Sequence, residues 1–257
     1  MLATFNSLNP WLIAVVLNTV LLAIAWVIPK QLLTRAGILH AWALGIVIWG
    51  TLGWQGYLIV MVYFLVGSAV TRIGMAQKEA AGIAEKRSGA RGPENVWGSA
   101  LTGTLCAVGV LFLDEPYRSF LLLGFVASFA TKLSDTTASE VGKAYGKRTF
   151  LITTLQPVSP GTEGAVSLEG TLAGAVASAA IAVLGWGVGF IGLTGVYFCV
   201  LAAFIATNLE SVIGATWQSQ VEWMTNEVVN FINTLIGAIA AILFIVIWHS
   251  IMGISAV

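Results

Sequence analysis

Charge is what this sequence has least of. Only 9% of its 257 residues are Asp, Glu, Lys or Arg, where an ordinary soluble domain carries roughly a quarter. A chain so poor in charge cannot cover a water-facing surface, so lipid is the expected solvent for most of it. Cysteine is nearly absent. Cys106 and Cys199 stand alone in apolar runs, with no CxxC or metal-ligand spacing, which argues against a structural disulfide. The two histidines, His40 and His249, are far apart and read as interfacial groups unrelated to catalysis. Twelve basic residues balance twelve acidic ones, so no bulk attraction to nucleic acid is implied. The first residues lack a basic n-region and a cleavage site and do not read as a signal peptide.

What the chain does have is apolar length. Hydrophobic residues make up 58% and Trp occurs ten times; mean hydropathy is +0.89. Trp favours the headgroup boundary, where an apolar ring with one polar edge is at home. A helix needs about 20 apolar residues to cross a bilayer. On that ruler the expected fold is all-α: a single-domain, polytopic transmembrane bundle of about eight spans, near 11–29, 38–52, 57–74, 96–113, 120–133, 170–187, 189–207 and 229–249. The fifth is short and is expected to run on as helix into the polar stretch after it.

Basic residues set the expected orientation. Lys30 and Arg35 follow the first span. Arg72, Lys78, Lys86, Arg87 and Arg91 follow the third, and Lys132, Lys143, Lys147 and Arg148 the fifth. Arg118 alone falls on the other side. The basic side is expected to be cytoplasmic, or stromal in a plastid, with both termini opposite. The long polar segments 72–95, 132–169 and 208–228 share that side. A site for a charged, water-soluble substrate explains such asymmetry.

Three of these segments carry candidate chemistry. In Lys132–Lys143 a carboxylate, Asp135, ends a stripe of small and polar residues. Burying it alone costs about 2.5–3.5 kcal/mol on insertion scales. Mg²⁺ is a suitable partner because it prefers oxygen ligands and keeps substrate phosphate oxygens among them. Asp135 and Glu140 are the metal candidates, and Lys132 is placed to meet a phosphate. Lys132, Asp135, Ser139 and Glu140 form the candidate catalytic set. The competing reading is an i,i+3 Lys132–Asp135 ion pair at the membrane boundary.

The stretch 153–170 holds two prolines and three glycines, which exclude a regular helix. Gly161-Thr-Glu-Gly164 reads as a turn whose backbone N–H groups can cradle phosphate, with Ser167 capping the next helix. Lys143, Thr153, Thr154, Gly161, Thr162, Gly164 and Ser167 are candidate nucleotide- or substrate-binding residues, and an ordinary loop is the competing reading. Arg91 can clamp a phosphate with its planar fork, while Asn95 reads equally as a helix N-cap. Glu210 is a candidate second metal carboxylate. Asn230 and Asn233, inside an apolar run, read first as helix–helix glue. Ala130-Thr-Lys-Leu before Asp135 echoes Ala206-Thr-Asn-Leu before Glu210, as a duplicated helix pair would.

Taken together, Asp135-Thr-Thr-Ala-Ser-Glu-Val-Gly142, Gly161-Thr-Glu-Gly-Ala-Val-Ser167, Arg91-Gly-Pro-Glu-Asn95 and Glu210-Ser-Val-Ile-Gly-Ala-Thr-Trp-Gln218 resemble the integral-membrane phytyl-phosphate kinase family. That family is distantly similar to polyprenol kinases and CDP-diacylglycerol synthases. The resemblance covers most of the chain, in order, with one departure: Glu210-Ser211 stands where Asp-Ser is expected. It implies a kinase that moves the γ-phosphate of a nucleoside triphosphate, CTP, onto a prenyl monophosphate for tocopherol and prenyl-lipid synthesis. The implied partners are that nucleotide, phytyl or another prenyl monophosphate, Mg²⁺ and membrane lipid, without nucleic acid; a homo-oligomer is allowed. The alternatives are a prenol kinase, a lipid cytidylyltransferase or, in another class, a secondary transporter with a midplane site.

Overall fold

The structure, a computed structural model, describes residues 9–28, 32–218 and 220–253. Pro29, the expected end of the first span, and Lys30, counted above with the basic side, lie outside the described residues. The elements are α1 (Pro10–Val27), α2 (Arg35–Thr71), a short α3 (Met75–Ala80), a 3-10 turn at Lys86–Gly89, α4 (Pro93–Gly109), α5 (Tyr117–Tyr145), strands β1 (Thr149–Leu151) and β2 (Ala165–Ser167), α6 (Leu168–Gly187), α7 (Leu193–Thr216) and α8 (Asn226–Met252). Helices α1, α2, α6, α7 and α8 are long and apolar enough to cross a membrane.

Helix α2 is not one rod. Gly53 has φ 65° and ψ −158°, a conformation open to glycine because it has no Cβ. In a straight helix Gly37 and Gly67 would stand about 45 Å apart. Both instead touch Arg91, Gly37 at its backbone carbonyl and Gly67 at its guanidinium. One residue cannot reach both ends of such a rod, so the chain reverses at Gly53. The two arms are 35–52 and 54–71. Trp49 and Tyr57, four residues either side of the break, meet edge-on at 5.2 Å. The second and third expected spans are these two arms, and every expected span falls on a helical segment.

Helix α5 is the axis of the bundle. It packs against α2, α4, α6, α7 and α8, and residues 123–135 are all buried. Small residues let its neighbours approach closely. Gly170 of α6 lies against Ala138, Gly174 against Ser134 and Gly185 against Val126, which fixes α6 antiparallel to α5. Gly103 of α4 meets Ser128 and Phe129, and Gly237 of α8 meets Thr131. As expected, α5 continues past the apolar stretch to Tyr145.

The polar stretch after α5, where 153–170 is expected to lack a regular helix and to turn at Gly161–Gly164, holds a small antiparallel hairpin of β1 and β2. Phe150 pairs with Val166 at its centre. Ser167 then caps α6, its hydroxyl accepting from the Gly170 N–H at 3.1 Å. Asn95 is not the N-cap of α4. Gly92 holds that position and Pro93 follows it; Asn95 sits three residues on and accepts the Gly92 N–H through its side chain at 3.0 Å.

Candidate active site at the polar end of the bundle

A cavity of about 960 Å³ opens where six helix ends meet. Its walls come from the end of α2, the starts of α4, α6 and α8, and the ends of α5 and α7, with the β hairpin and the 82–91 loop across the top. The charge gathers at one end of the bundle because alternating helix directions bring those termini together.

At its floor Lys132 donates to Asp135 Oδ2 at 2.5 Å and to Asn230 Oδ1 at 2.6 Å. The Asp135 and Glu210 carboxyl groups face each other within hydrogen-bonding reach. Asn233 Nδ2 donates to Glu210 Oε2 at 2.9 Å, while its own Oδ1 is buried without a partner. One polar chain thus links α8, α5 and α7, ordered Asn230, Lys132, Asp135, Glu210, Asn233. The expected i,i+3 ion pair is present, but it is one link of that chain. Asn230 and Asn233 do join helices, and they do so by holding the two charged residues at the cavity floor.

Glu140 sits differently from the expectation. Its carboxylate is ion-paired with Lys78, both side chains nearly sealed from solvent at 2% and 1% exposed, and it also accepts from Lys143 at 3.2 Å. Lys143 reaches Glu85 at 3.5 Å as well. Two ammonium groups therefore already neutralise Glu140. Lys78 also donates to the Thr71 carbonyl at 2.8 Å, so the group anchors α3 and the 82–91 loop to α5. Ser139 is exposed at the cavity wall.

Arg91 is a clasp as well as a cavity residue. Its N–H donates to the Leu32 carbonyl and its carbonyl accepts from Thr34, each at 3.0 Å. Its guanidinium donates to the Tyr63 hydroxyl at 2.9 Å and lies over the Tyr63 and Phe64 rings. Asn95 joins Gly92, Arg87 at 2.8 Å and Glu227 at 3.3 Å.

Above the floor, the Gly161–Gly164 turn spans the cavity. Gly161 and Gly164 have φ +85° and +76°. Gly161 abuts Ile83 of the loop and Gly164 abuts Ser211 and Ala215 of α7. Thr162 is exposed on this turn. Thr153 and Thr154 do not join the site. They sit in the exposed turn after β1 and are absent from the cavity wall, because the hairpin carries them outward. Of the histidines, His40 accepts from Trp97 Nε1 at 2.8 Å, and neither His40 nor His249 lines the cavity.

Sequence reading missed Arg87. It bonds Glu94 and Asn95 at the cavity rim, in a turn where Arg87 and Ser88 have φ 56° and 49°. Left-handed backbone at two successive non-glycine residues is uncommon and costs of order 1–3 kcal/mol per residue. The tripeptide Arg87-Ser88-Gly89 carries no sequence signal for it beyond the glycine.

Comparison with known proteins places the chain in a family. A family model for integral membrane protein DUF92 matches residues 18–238. The chain belongs to this integral membrane family. It is 70% identical over 233 residues to the membrane protein sll0875 of Synechocystis sp., covering 91% of this chain and 90% of that one. To the protein VTE6, chloroplastic, of Arabidopsis thaliana it is 45% identical over 243 residues, 93% of this chain and 73% of that one. The membrane protein MJ0933 of Methanocaldococcus jannaschii is 30% identical over 215 residues, 83% and 86% of the two chains. No solved structure matches.

Proposed function

We propose that the protein is a prenyl-phosphate kinase that transfers the γ-phosphoryl group of a nucleoside triphosphate, CTP by family resemblance, to a prenyl monophosphate. The kinship with VTE6 supports this reading, as does the motif resemblance to phytyl-phosphate kinases. The observation that carries it is the facing pair Asp135 and Glu210, with Lys132 between the helices, at the floor of a polar cavity.

Charge accounting points the same way. Among the described residues, Lys86, Arg87, Arg91, Lys132 and Lys143 line the cavity, against Glu85, Glu94, Asp135, Glu140, Glu163, Glu210 and Glu227. Five cations against seven carboxylates repel a polyanion unless divalent cations accompany it. Among the described residues no three His, Cys, Asp or Glu form a metal cluster. Two carboxylates are what Mg²⁺ usually takes from protein, with substrate phosphates and water completing its shell. Asp135 and Glu210 fit that role, and the unpartnered Asn233 Oδ1 is a further oxygen beside them. Glu140, held by Lys78 and Lys143, is not proposed for it. Bound Mg²⁺ would neutralise charge on the transferring phosphate.

The chain's own residues do the rest by positioning and charge. A terminal phosphate oxygen of the prenyl monophosphate attacks the γ-phosphorus in line. The bond from the γ-phosphorus to the β–γ bridging oxygen breaks, and nucleoside diphosphate leaves. The attacking oxygen is already ionised, so no strong general base is required. Lys132 would share its ammonium between Asp135 and an arriving phosphate, and Arg91, which lines the same cavity, would add a second positive charge. The Gly161–Gly164 turn can approach nucleotide phosphate without side-chain clash.

The test is purified protein in detergent with labelled CTP or ATP and phytyl, geranylgeranyl or farnesyl monophosphate. Formation of the prenyl diphosphate is expected. A CDP-lipid as product would reassign the protein as a cytidylyltransferase, and phosphorylation of the free alcohol alone as a prenol kinase.

A further inference from the structure

A prenyl phosphate cannot reach the cavity by the route a nucleotide uses. Its chain stays in the bilayer, so its phosphate must arrive through the side of the bundle. Phe204 marks where. Among the described residues that line the cavity, it is the one large apolar side chain that is also well exposed, at 47%. It lies on α7, on the outer face of the bundle.

Going along α7 from Phe204 and winding inward, the residues that line the cavity change polarity in order. Thr207 and Asn208 come about one helical turn on, both lining the cavity. The Asn208 side chain turns back to the Phe204 carbonyl at 2.7 Å. The Thr207 hydroxyl is buried with no partner in the protein. Glu210 follows, about 9 Å along the axis from Phe204. Thr171, near the start of the neighbouring helix α6, lines the same cavity. Apolar at one end, hydroxyl and amide in the middle and carboxylate at the far end is the profile of a track for an amphiphile. Where the hairpin crosses, Gly164 rests on Ser211 and Ala215, just past Glu210 on α7.

We propose that the prenyl monophosphate enters sideways between α6 and α7. The chain leaves past Phe204 into the bilayer, and the phosphate ends beside Thr207 on its way to Asp135 and Glu210. The inference rests on the kinase reading and adds the substrate's route. Thr171 and Phe204 then govern which chain enters, while the nucleotide comes from water under the Gly161–Gly164 turn.

Two measurements test it. In the first, Thr171→Trp narrows the gap. The Michaelis constant for phytyl or geranylgeranyl monophosphate should rise at least tenfold. That for nucleotide should stay within twofold, as should that for the water-soluble five-carbon dimethylallyl phosphate. An unchanged constant for the long substrates, or an equal rise for short and long ones, overturns the route. In the second, wild-type protein is irradiated with a geranylgeranyl monophosphate analogue carrying a terminal diazirine, which needs no turnover and no variant. Labelled peptides should come from α6 beyond Thr171 and from α7 at and before Phe204, the parts of both helices deeper in the bilayer. Label confined to α1, α2, α4 or α8 overturns the proposal. If wild-type protein forms no diphosphate from any prenyl monophosphate, the kinase reading fails, and the labelling pattern still decides the route.

Discussion

Lys78 and Glu140 form an ion pair that water barely reaches, and it bolts the short helix α3 onto α5. Each charge depends on the other. Removing one partner of a buried pair costs about 3–5 kcal/mol because the remaining charge is stranded, whereas replacing both with apolar residues is often neutral. Glu140→Gln should therefore lower the detergent melting temperature sharply. Lys78→Met combined with Glu140→Leu should recover most of the loss. If Glu140→Gln melts like wild type but loses turnover, Glu140 belongs to the chemistry and the anchoring role is wrong.

Asp135 and Glu210 should behave in the opposite way. Asp135→Asn and Glu210→Gln should each reduce turnover by about 10²-fold or more, the scale of losing one preorganised transition-state partner. Glu210→Gln should melt near wild type, because its amide can still bond Asn233. Asp135→Asn removes one partner of the buried Lys132 pair and should melt lower than wild type, but by less than Glu140→Gln, because Lys132 keeps Asn230. Asn233→Ala should act through Glu210 and cost less, about tenfold. Chelation of divalent cations should abolish turnover, with Mg²⁺ restoring it. Full activity in a well-folded Asp135→Asn variant would reduce Lys132–Asp135 to a boundary ion pair.

The sequence makes the helices legible because lipid leaves the chain few choices. Every backbone polar group must be bonded within a helix or a closed barrel, and the apolar runs are long. The pairing of distant carboxylates was half legible: Asp135 and Glu210 stood out as lone acids at the ends of apolar helices, but nothing in one sequence says that α5 and α7 meet there. Glu140 stands visibly beside Asp135 in the sequence, while its ion-pair partner, Lys78, is 62 residues away and cannot be read from it. A three-residue strand pairing is too short to leave a periodic pattern, so the sequence does not reveal that Thr153 and Thr154 sit in an exposed turn off the cavity wall. Arg91 carried two meanings at once, and the structure uses its backbone and ring contacts to tie the α2 hairpin to α4.

Sidedness has a direct readout. Thr162 is exposed on the turn over the cavity, while the native Cys199 is fully buried and Cys106 half-buried. A Thr162→Cys variant should be labelled by an impermeant maleimide in inside-out vesicles and remain unlabelled in intact cells. Labelling from outside the cell would reverse the orientation expected from the basic residues.

Gly164 offers the sharpest separation of nucleotide from lipid. Its φ of +76° is a conformation that side chains with a Cβ rarely adopt, and holding one there costs on the order of 1–3 kcal/mol. A Cβ would also stand 2.5 Å from the Ser211 carbonyl oxygen and the Ala215 methyl. Both belong to the body of α7, which cannot yield, so the turn must. Gly164→Val should lift the Gly161–Gly164 turn off α7 without disturbing the floor, where Lys132, Asp135 and Glu210 are held by α5, α7 and α8. The Michaelis constant for nucleotide should rise by about tenfold or more, and that for prenyl monophosphate by much less. Thr153→Ala and Thr154→Ala, in the same segment but turned outward, should leave both constants within about twofold, as expected for exposed substitutions away from such features. If Gly164→Val raises only the lipid constant, the turn closes over the wrong substrate and the nucleotide must sit nearer Arg87 and the 82–91 loop.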